Sequence, residues 1–291
     1  MNTPLMVTIR CMVYNHEPYI RECLEGFVMQ KTNFRFEAIV HDDASTDGSA
    51  AIIREYAEKY PDIIKPIYQT ENQYSKRDGS LRRIMNEHTH GKYIALCEGD
   101  DYWIDPLKLQ KQVDFLEANE EYSMCFHADK QLKPNGEFIL HRPRPIKQEY
   151  TMEDVILGGG GFMATNSMVY KAELAIENPE WRANAPVGDG PLMLLLASKG
   201  RIGYINDTMS VYRIMAKGSW SERISSNRAM RKGHIVSIIR MWNEFDKWTN
   251  YEFTIPVQKH VKDIKYEYFK GEVKYKIGFL LSAPKKLFKR K

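Results

Sequence analysis

Tyr93-Ile94-Ala95-Leu96-Cys97-Glu98-Gly99-Asp100-Asp101-Tyr102-Trp103 turns from apolar to acidic in a single step. An apolar run of that length reads as a buried strand. Carboxylates crowded at its end repel one another and favour a proton or a cation. Glycine keeps the loop slim and free to take positive φ, so the oxygens can converge. The stretch is therefore expected to be a divalent-cation site at the C-terminal end of a sheet strand, where open α/β folds bind ligands. The alternative is a polar loop whose acids cap the next helix. Asp105-Pro106 already supplies an N-cap and a first-turn proline, which leaves Glu98, Asp100 and Asp101 surplus to capping.

Upstream, Leu5 to Val13 is β-rich and mostly apolar, as in a central parallel strand. Ile20, Leu24 and Phe27 then recur at helical spacing behind Pro18. Phe36 to His41 reads as a second strand ending in Asp42-Asp43, and Ser45 to Ser49 is dense in turn and cap residues. A helix with Ala50, Ile53, Ala57 and Tyr60 on one face should follow, then a short strand Ile63 to Tyr68 whose Pro66 marks a sheet edge. Glu71 to Ser80 reads as a loop, and Arg82 and Arg83 open a short helix reaching His88. Strands alternating with helices, each strand ending in a polar loop, predict a parallel doubly wound sheet over residues 1 to about 130.

Downstream of the acids, Leu109, Val113 and Leu116 share a helical face, and Tyr122 to Phe126 is a further strand. Gly158 to Gly161 lacks the following Gly-Lys-Ser/Thr of a phosphate loop; it reads as a mobile loop or a close backbone approach before a strand-like Phe162 to Tyr170. Asp189 precedes the apolar helix Leu192 to Ala197, as an N-cap or as a lone carboxylate at a helix mouth. One long helix is expected from Ser221 to Phe245, with Ile235, Ile238, Trp242 and Phe245 as its stripe. From Val273 the chain mixes apolar residues with a basic run ending at Lys291. It reads equally as a packed C-terminal helix with a solvated end or as an interfacial anchor for an anionic membrane.

The 291 residues carry a net charge of +4 and 43% hydrophobic residues, with a mean hydropathy of -0.50. That balance excludes a disordered chain and argues against nucleic acid as a partner. No apolar run approaches the roughly 20 residues that span a bilayer. The four cysteines form no metal or disulfide pattern, as in reduced core thiols of a cytoplasmic protein. Met1-Asn2-Thr3-Pro4 lacks the features of a signal peptide.

Three stretches in order, Val13-Tyr14-Asn15, His41-Asp42-Asp43-Ala44-Ser45-Thr46-Asp47-Gly48-Ser49 and Gly91 to Asp101, resemble the family-2 glycosyltransferases. These are bacterial, inverting and nucleotide-sugar dependent. The likeness is dense over the first 130 residues. It implies an α/β fold of the GT-A type, a Rossmann-like doubly wound mixed sheet with a smaller acceptor-side and C-terminal helical region. The implied organisation is a catalytic domain over 1–215, with a nucleotide-sugar half at 1–130 and an acceptor half at 131–215. A helical C-terminal region with the basic tail would occupy 216–291.

The resemblance also implies roles. Tyr14 and Asn15 would approach a uracil-type base, Asp43 would accept from its ring N–H, and Asp47 would fix the loop and helix start. Lys76 or Arg77, with Arg82 or Arg83 behind, would approach the diphosphate. Asp100 and Asp101 would hold Mn²⁺ or Mg²⁺ on the diphosphate and reach the ribose; Glu98 stands where the family more often has Asp and would be an outer donor contact. Asp189 in Gly188-Asp189-Gly190-Pro191 would be the catalytic base. Met215 stands where relatives often carry His, and thioether sulfur is a poor ligand for a hard cation, so Arg213 or Lys217 would serve the diphosphate instead. Trp103 and Trp220 are the acceptor-side candidates.

The implied reaction is metal-assisted, inverting transfer from a UDP-sugar type of donor to a hydroxyl of a growing surface glycan, free or lipid-linked. It would run in the cytoplasm, with peripheral membrane contact through 273–291. Two other readings stay open. One is a sugar-nucleotide-binding protein that has lost activity, given Gly188, Met215 and Glu98. The other is a metal-dependent phosphoryl enzyme, which the acid-free end of the first strand disfavours.

Overall fold

A computed structural model describes residues 4–282, with side chains through residue 273. The elements run β1 Leu5–Val13, α1 Ile20–Val28, β2 Arg35–Asp42, α2 Ser49–Lys59, β3 Ile64–Tyr68, α3 Gln73–Lys76, α4 Ser80–Glu87, β4 Tyr93–Leu96, β5 Tyr102–Trp103 and α5 Lys108–Ala118. They continue β6 Tyr122–Leu132, β7 Phe138–His141, β8 Glu149–Tyr150, α6 Met152–Gly158, β9 Val169–Lys171, α7 Glu180–Ala183, α8 Asp189–Ala197, β10 Arg201–Arg213, α9 Trp220–Ser226, α10 Arg228–Trp248 and α11 Thr254–Ser282.

All ten strands join one mixed sheet in the order β3-β2-β1-β4-β9-β6-β10-β5, with β7 on β6 and β8 on β10. The β3-β2-β1-β4 half is parallel, and β9 runs antiparallel to both its neighbours. Strand alternation distributes residues between two cores. Tyr93, Ala95, Cys97 and Cys125 face the core built with α1, α2 and α5. Ile94, Leu96, Met124 and Phe126 face the other, built with α6, α8, α10 and α11. Pro66 lies in β3, the edge strand, where its missing N–H is tolerated.

In α2 the expected face, with Ile53 buried and Ala57 and Tyr60 packed partly buried on the same core, also includes the buried Tyr56. Three local expectations need correction. The segment Glu71 to Ser80 contains α3, because Asn72 caps it and Asp43 accepts from two of its first amides. The strand foreseen from Phe162 shrinks to β9. Before it, Thr165–Ser167 forms a 3₁₀ turn around the buried Asn166, whose amide donates to the Val211 carbonyl and accepts from Ser210 Oγ. The single helix over 221–245 is two, since Asn227 leaves helical φ/ψ and its side chain caps α10 through Met230 N–H.

Within the glycine run the close approach is confined to Gly158 and Gly159, since a Cβ at Gly160 or Gly161 would meet nothing within 4 Å. Gly159 has φ +60, and a Cβ there would meet the His260 ring of α11 at 2.3 Å. All four cysteines are free and buried. Among the described residues no helix is long and apolar enough to cross a membrane. α11 carries helical backbone to Ser282; the side chains beyond residue 273 and the basic run to Lys291, where a membrane anchor is expected, lie outside the described residues.

Candidate active site

β2 and β4 flank β1 on opposite sides, so the order reverses there and the strand ends leave a crevice. The loops after β1 and β2 are stitched across it. Asn15, in a left-handed conformation (φ 57), accepts from Thr46 N–H at 2.8 Å, and its own N–H donates to Ser45 Oγ. Asp47 accepts from Glu17 N–H and Ser49 N–H, each at 3.0 Å. These bonds hold its carboxyl below the usual range against an opposing burial effect. Asp47 thus fixes both the loop and the start of α2. Tyr14 stands beside them, 42% exposed, a free ring at the mouth.

Asp43 is buried, and its two oxygens accept from Gln73 N–H at 2.7 Å and Tyr74 N–H at 3.0 Å. Its observed work is to hang α3 from the end of β2. At the end of α3 sits Arg77, exposed and left-handed (φ 52).

The acid loop continues the β1 pairing, with Cys97 N–H on Arg10 O and Gly99 N–H on Met12 O. Gly99 is required for closeness: a Cβ there would lie 2.8 Å from His16 Nδ1 and 2.9 Å from a Val13 methyl. Positive φ, the reason expected from sequence, does not apply at this position. Asp100 and Asp101 are buried, and the Glu98 side chain is exposed. Desolvation, then the charges of Asp100 and Asp189, raise the Glu98 pKa, an effect that solvent weakens at this exposed side chain. Burial and Asp100 push Asp101 well above the ordinary range.

Arg213 locks this loop. Its N–H donates to Asp101 Oδ1 at 2.8 Å and its guanidinium to the Asp100 carbonyl at 2.5 Å. The same guanidinium pairs with Glu22 and packs against the Tyr19 and Tyr102 rings at 5.1 and 4.5 Å. A cation so committed is a clamp.

Among the other basic candidates, Lys76 pairs with Glu71 and Arg83 reaches Asp78. Arg82 donates to Asn178. Arg77 and Lys217 have no carboxylate partner among the described residues, and both are exposed.

Asp189 is the first residue of α8 and accepts from Gly190 N–H at 2.8 Å. Burial raises its pKa, with the Gly190 bond and then His234 acting the other way. Glu98, Asp100, Asp101 and Asp189 all act on the Tyr212 phenol, which burial and then these charges raise. The four carboxylates are thus within electrostatic range of one side chain.

Trp103 is placed elsewhere. It is 2% exposed, packs edge-on to Phe27 at 5.0 Å and donates its indole N–H to the Asn166 carbonyl. The expected acceptor role is corrected to a core role, since neither face is open to a sugar. Trp220 is 37% exposed and meets the His234 ring at 4.8 Å.

Sequence reasoning missed His16, Tyr212 and His234. Alternation along β10 could have pointed to Tyr212; nothing local marks His234, which lies on α10 and acts on Asp189 electrostatically. His16 Nδ1 is buried without a hydrogen-bond partner among the described residues. Its pKa is lowered by burial, against the opposing effects of Asp100 and Asp47.

No three His, Cys, Asp or Glu side chains form a ready-made cation cage among the described residues. The donor set still suits a hard cation. Mg²⁺-type ions bind through one or two carboxylates and take remaining oxygens from phosphates and water, and the acid loop concentrates negative charge that a cation would offset.

Comparison with known proteins agrees with this architecture. The family model "Glycosyl transferase family 2" matches residues 9–177, and the chain belongs to that family. An uncharacterized Mycobacterium tuberculosis protein is 36% identical over 230 residues, covering 78% of this chain and 65% of that one. A Bacillus subtilis protein assigned by name to teichuronic acid biosynthesis, glycosyltransferase TuaG, is 26% identical over 227 residues, 77% of this chain and 82% of its own.

Among solved structures, S. aureus TarS 1-349 in complex with UDP-GlcNAc has a TM-score of 0.58 at 18% identity, covering 86% of this chain and 73% of that one. Mannosyltransferase PcManGT from Pyrobaculum calidifontis, in complex with GDP-Man and Mn²⁺, has a TM-score of 0.59 at 20% identity, covering 90% and 69%. The fold is that of the GT-A glycosyltransferases.

Proposed function

We propose that this protein is an inverting glycosyltransferase that moves a sugar from a nucleotide diphosphate donor, of the UDP-sugar type, to a hydroxyl of a growing surface glycan. The observation that carries the reading is the buried pair Asp100 and Asp101 in the loop after β4, held in place by Arg213, with Asp189 at the start of α8. Asp189, partly buried and raised in pKa, is suited to take the acceptor proton as the hydroxyl attacks C1 opposite the nucleotide. Attack from that face inverts the anomeric centre.

The other residues divide the remaining work. Tyr14 offers its exposed ring to the base, while Asn15 and Asp47 hold the loops that frame it. Asp43 positions α3, at whose end the exposed Arg77 stands, and each Asp43 oxygen retains a lone pair for the base ring N–H. Arg77 and Lys217 supply free positive charge for the diphosphate. Asp100 and Asp101 would hold Mn²⁺ or Mg²⁺. That ion, when bound, neutralises charge developing on the nucleotide leaving group. Trp220, beside His234, lines the acceptor side.

The TuaG relationship supports a surface-glycan acceptor, and the UDP-sugar and GDP-sugar complexes of TarS and PcManGT support the donor class. The place of action is then the cytoplasmic face of the membrane, where such precursors are assembled.

The test is a panel of UDP-, GDP- and dTDP-sugars with Mn²⁺. One donor is expected to raise the melting temperature and to be turned over. Asp101→Asn, which removes charge and keeps shape, should abolish turnover. Neither turnover nor metal-dependent nucleotide binding across the panel would sink the reading.

A further inference from the structure

β7 pairs antiparallel with the end of β6, from Leu132↔Phe138 to Asp129↔His141, and its other edge has no strand among the described residues. His141 pins its base, through Asp129 at 2.7 Å and the Gly161 carbonyl at 3.1 Å. Beyond that pin, Phe138, Ile139 and Leu140 are 52%, 37% and 49% exposed. Successive strand residues point to opposite faces, so both faces of this ribbon stand in water. An uncovered apolar edge strand invites pairing unless something covers it, and consecutive exposed apolar residues mark an interaction surface.

Charge selects the occupant. Residues 130–147 carry Lys130, Lys133, Arg142, Arg144 and Lys147 against the single acid Glu137. Lys133 pairs with Glu137 and Lys147 with Asp154. Lys130 and Arg144 are exposed with no carboxylate partner among the described residues. A second copy of the same hairpin would bring these cations face to face. An anionic bilayer answers both features: the apolar tip enters the acyl boundary while the basic heads stay among the phosphates.

We infer that the β6–β7 hairpin docks this protein on an anionic lipid bilayer by inserting Phe138, Ile139 and Leu140. The placement suits such a surface. Leu132, where the hairpin leaves the sheet, pairs with Arg213, whose N–H holds Asp101. The hairpin thus projects from the acid-loop end of the sheet. A bilayer there brings the crevice towards lipid-borne hydroxyls. The contact is separate from the basic tail and does not depend on the transfer reaction.

Because every native cysteine is buried, Leu140→Cys in the full chain gives one accessible thiol for an environment-sensitive dye. On vesicles containing phosphatidylglycerol the dye should brighten and shift to the blue; on pure phosphatidylcholine it should not change. In flotation of the unlabelled chain, Phe138→Ser with Leu140→Ser, and separately Lys130→Glu with Arg144→Glu, should each weaken vesicle binding by at least about tenfold. Circular dichroism checks that each variant folds. Unshifted dye emission on anionic vesicles, or variants floating as well as the parent, overturns the inference. A vesicle-free dimer that the serine pair dissolves also overturns it, in favour of a second copy. Transfer to a soluble acceptor is read independently, so failure here is distinguishable from failure of the transferase reading.

Discussion

The backbone N–H of Arg213 donates to the Asp101 carboxylate at 2.8 Å across 112 residues of chain. One end of β10 thereby sets the geometry of the loop after β4. The acid loop is shaped from outside itself, and its stability is tied to a residue at the end of β10.

Arg213→Met should accordingly loosen the loop while keeping side-chain bulk. Lost bonds to the Asp100 carbonyl and Glu22 are expected to cost about 1–3 kcal/mol, read by urea denaturation. Arg213→Lys should not restore stability, because the planar fork between the Tyr19 and Tyr102 rings has no ammonium equivalent. Full rescue by lysine would contradict the clamp.

Gly99→Ala tests the close approach. The added methyl would meet His16 and Val13 below 3.0 Å, an overpacking expected to cost about 1–3 kcal/mol. Nucleotide binding should fall with it, since the loop must move outward. A variant as stable as the parent would show that the loop has slack.

Asp189→Asn should abolish transfer and leave donor affinity unchanged, measured by calorimetry with the donor identified in the panel. Loss of both would place Asp189 in donor binding. Loss of neither would leave a sugar-nucleotide binder without this base.

The pin at the foot of the hairpin carries a pH dependence. Hydrogen bonding to Asp129 raises the His141 pKa above its ordinary value against the burial effect. A raised folded-state pKa means the pair's stabilisation is fully present below about 6.5 and is lost as pH rises through the elevated value. Melting temperatures of the parent and His141→Gln should therefore differ most at acidic pH and converge above neutrality. A gap that is constant with pH would remove the charged pair from the account.

Much of the fold was legible because its signals are local. Leu5 to Val13 and the helical spacing of Ile20, Leu24 and Phe27 announce their elements within a few residues, and β1 and α1 fall there. Expectations failed where a side chain took a backbone partner. Asn227 capped a new helix inside an otherwise continuous pattern, Asn166 replaced strand pairing with bonds to β10, and Asp43 turned a polar loop into α3.

The sequence by itself determined most of the strand-helix order of the first 130 residues, the family and the acid cluster, since each is written in contiguous residues and their spacing. Tertiary structure alone decided which side chains are available. It buried Trp103 against Phe27, committed Arg213 to the acid loop, left Arg77 and Lys217 free, and set His234 within electrostatic range of Asp189. Those outcomes depend on contacts between residues far apart in the chain, and burial or pairing set by such contacts has no local signature. For Glu98-Gly99-Asp100-Asp101, local order predicted converging carboxylates; the fold supplied the neighbours that give each its charge and its reach.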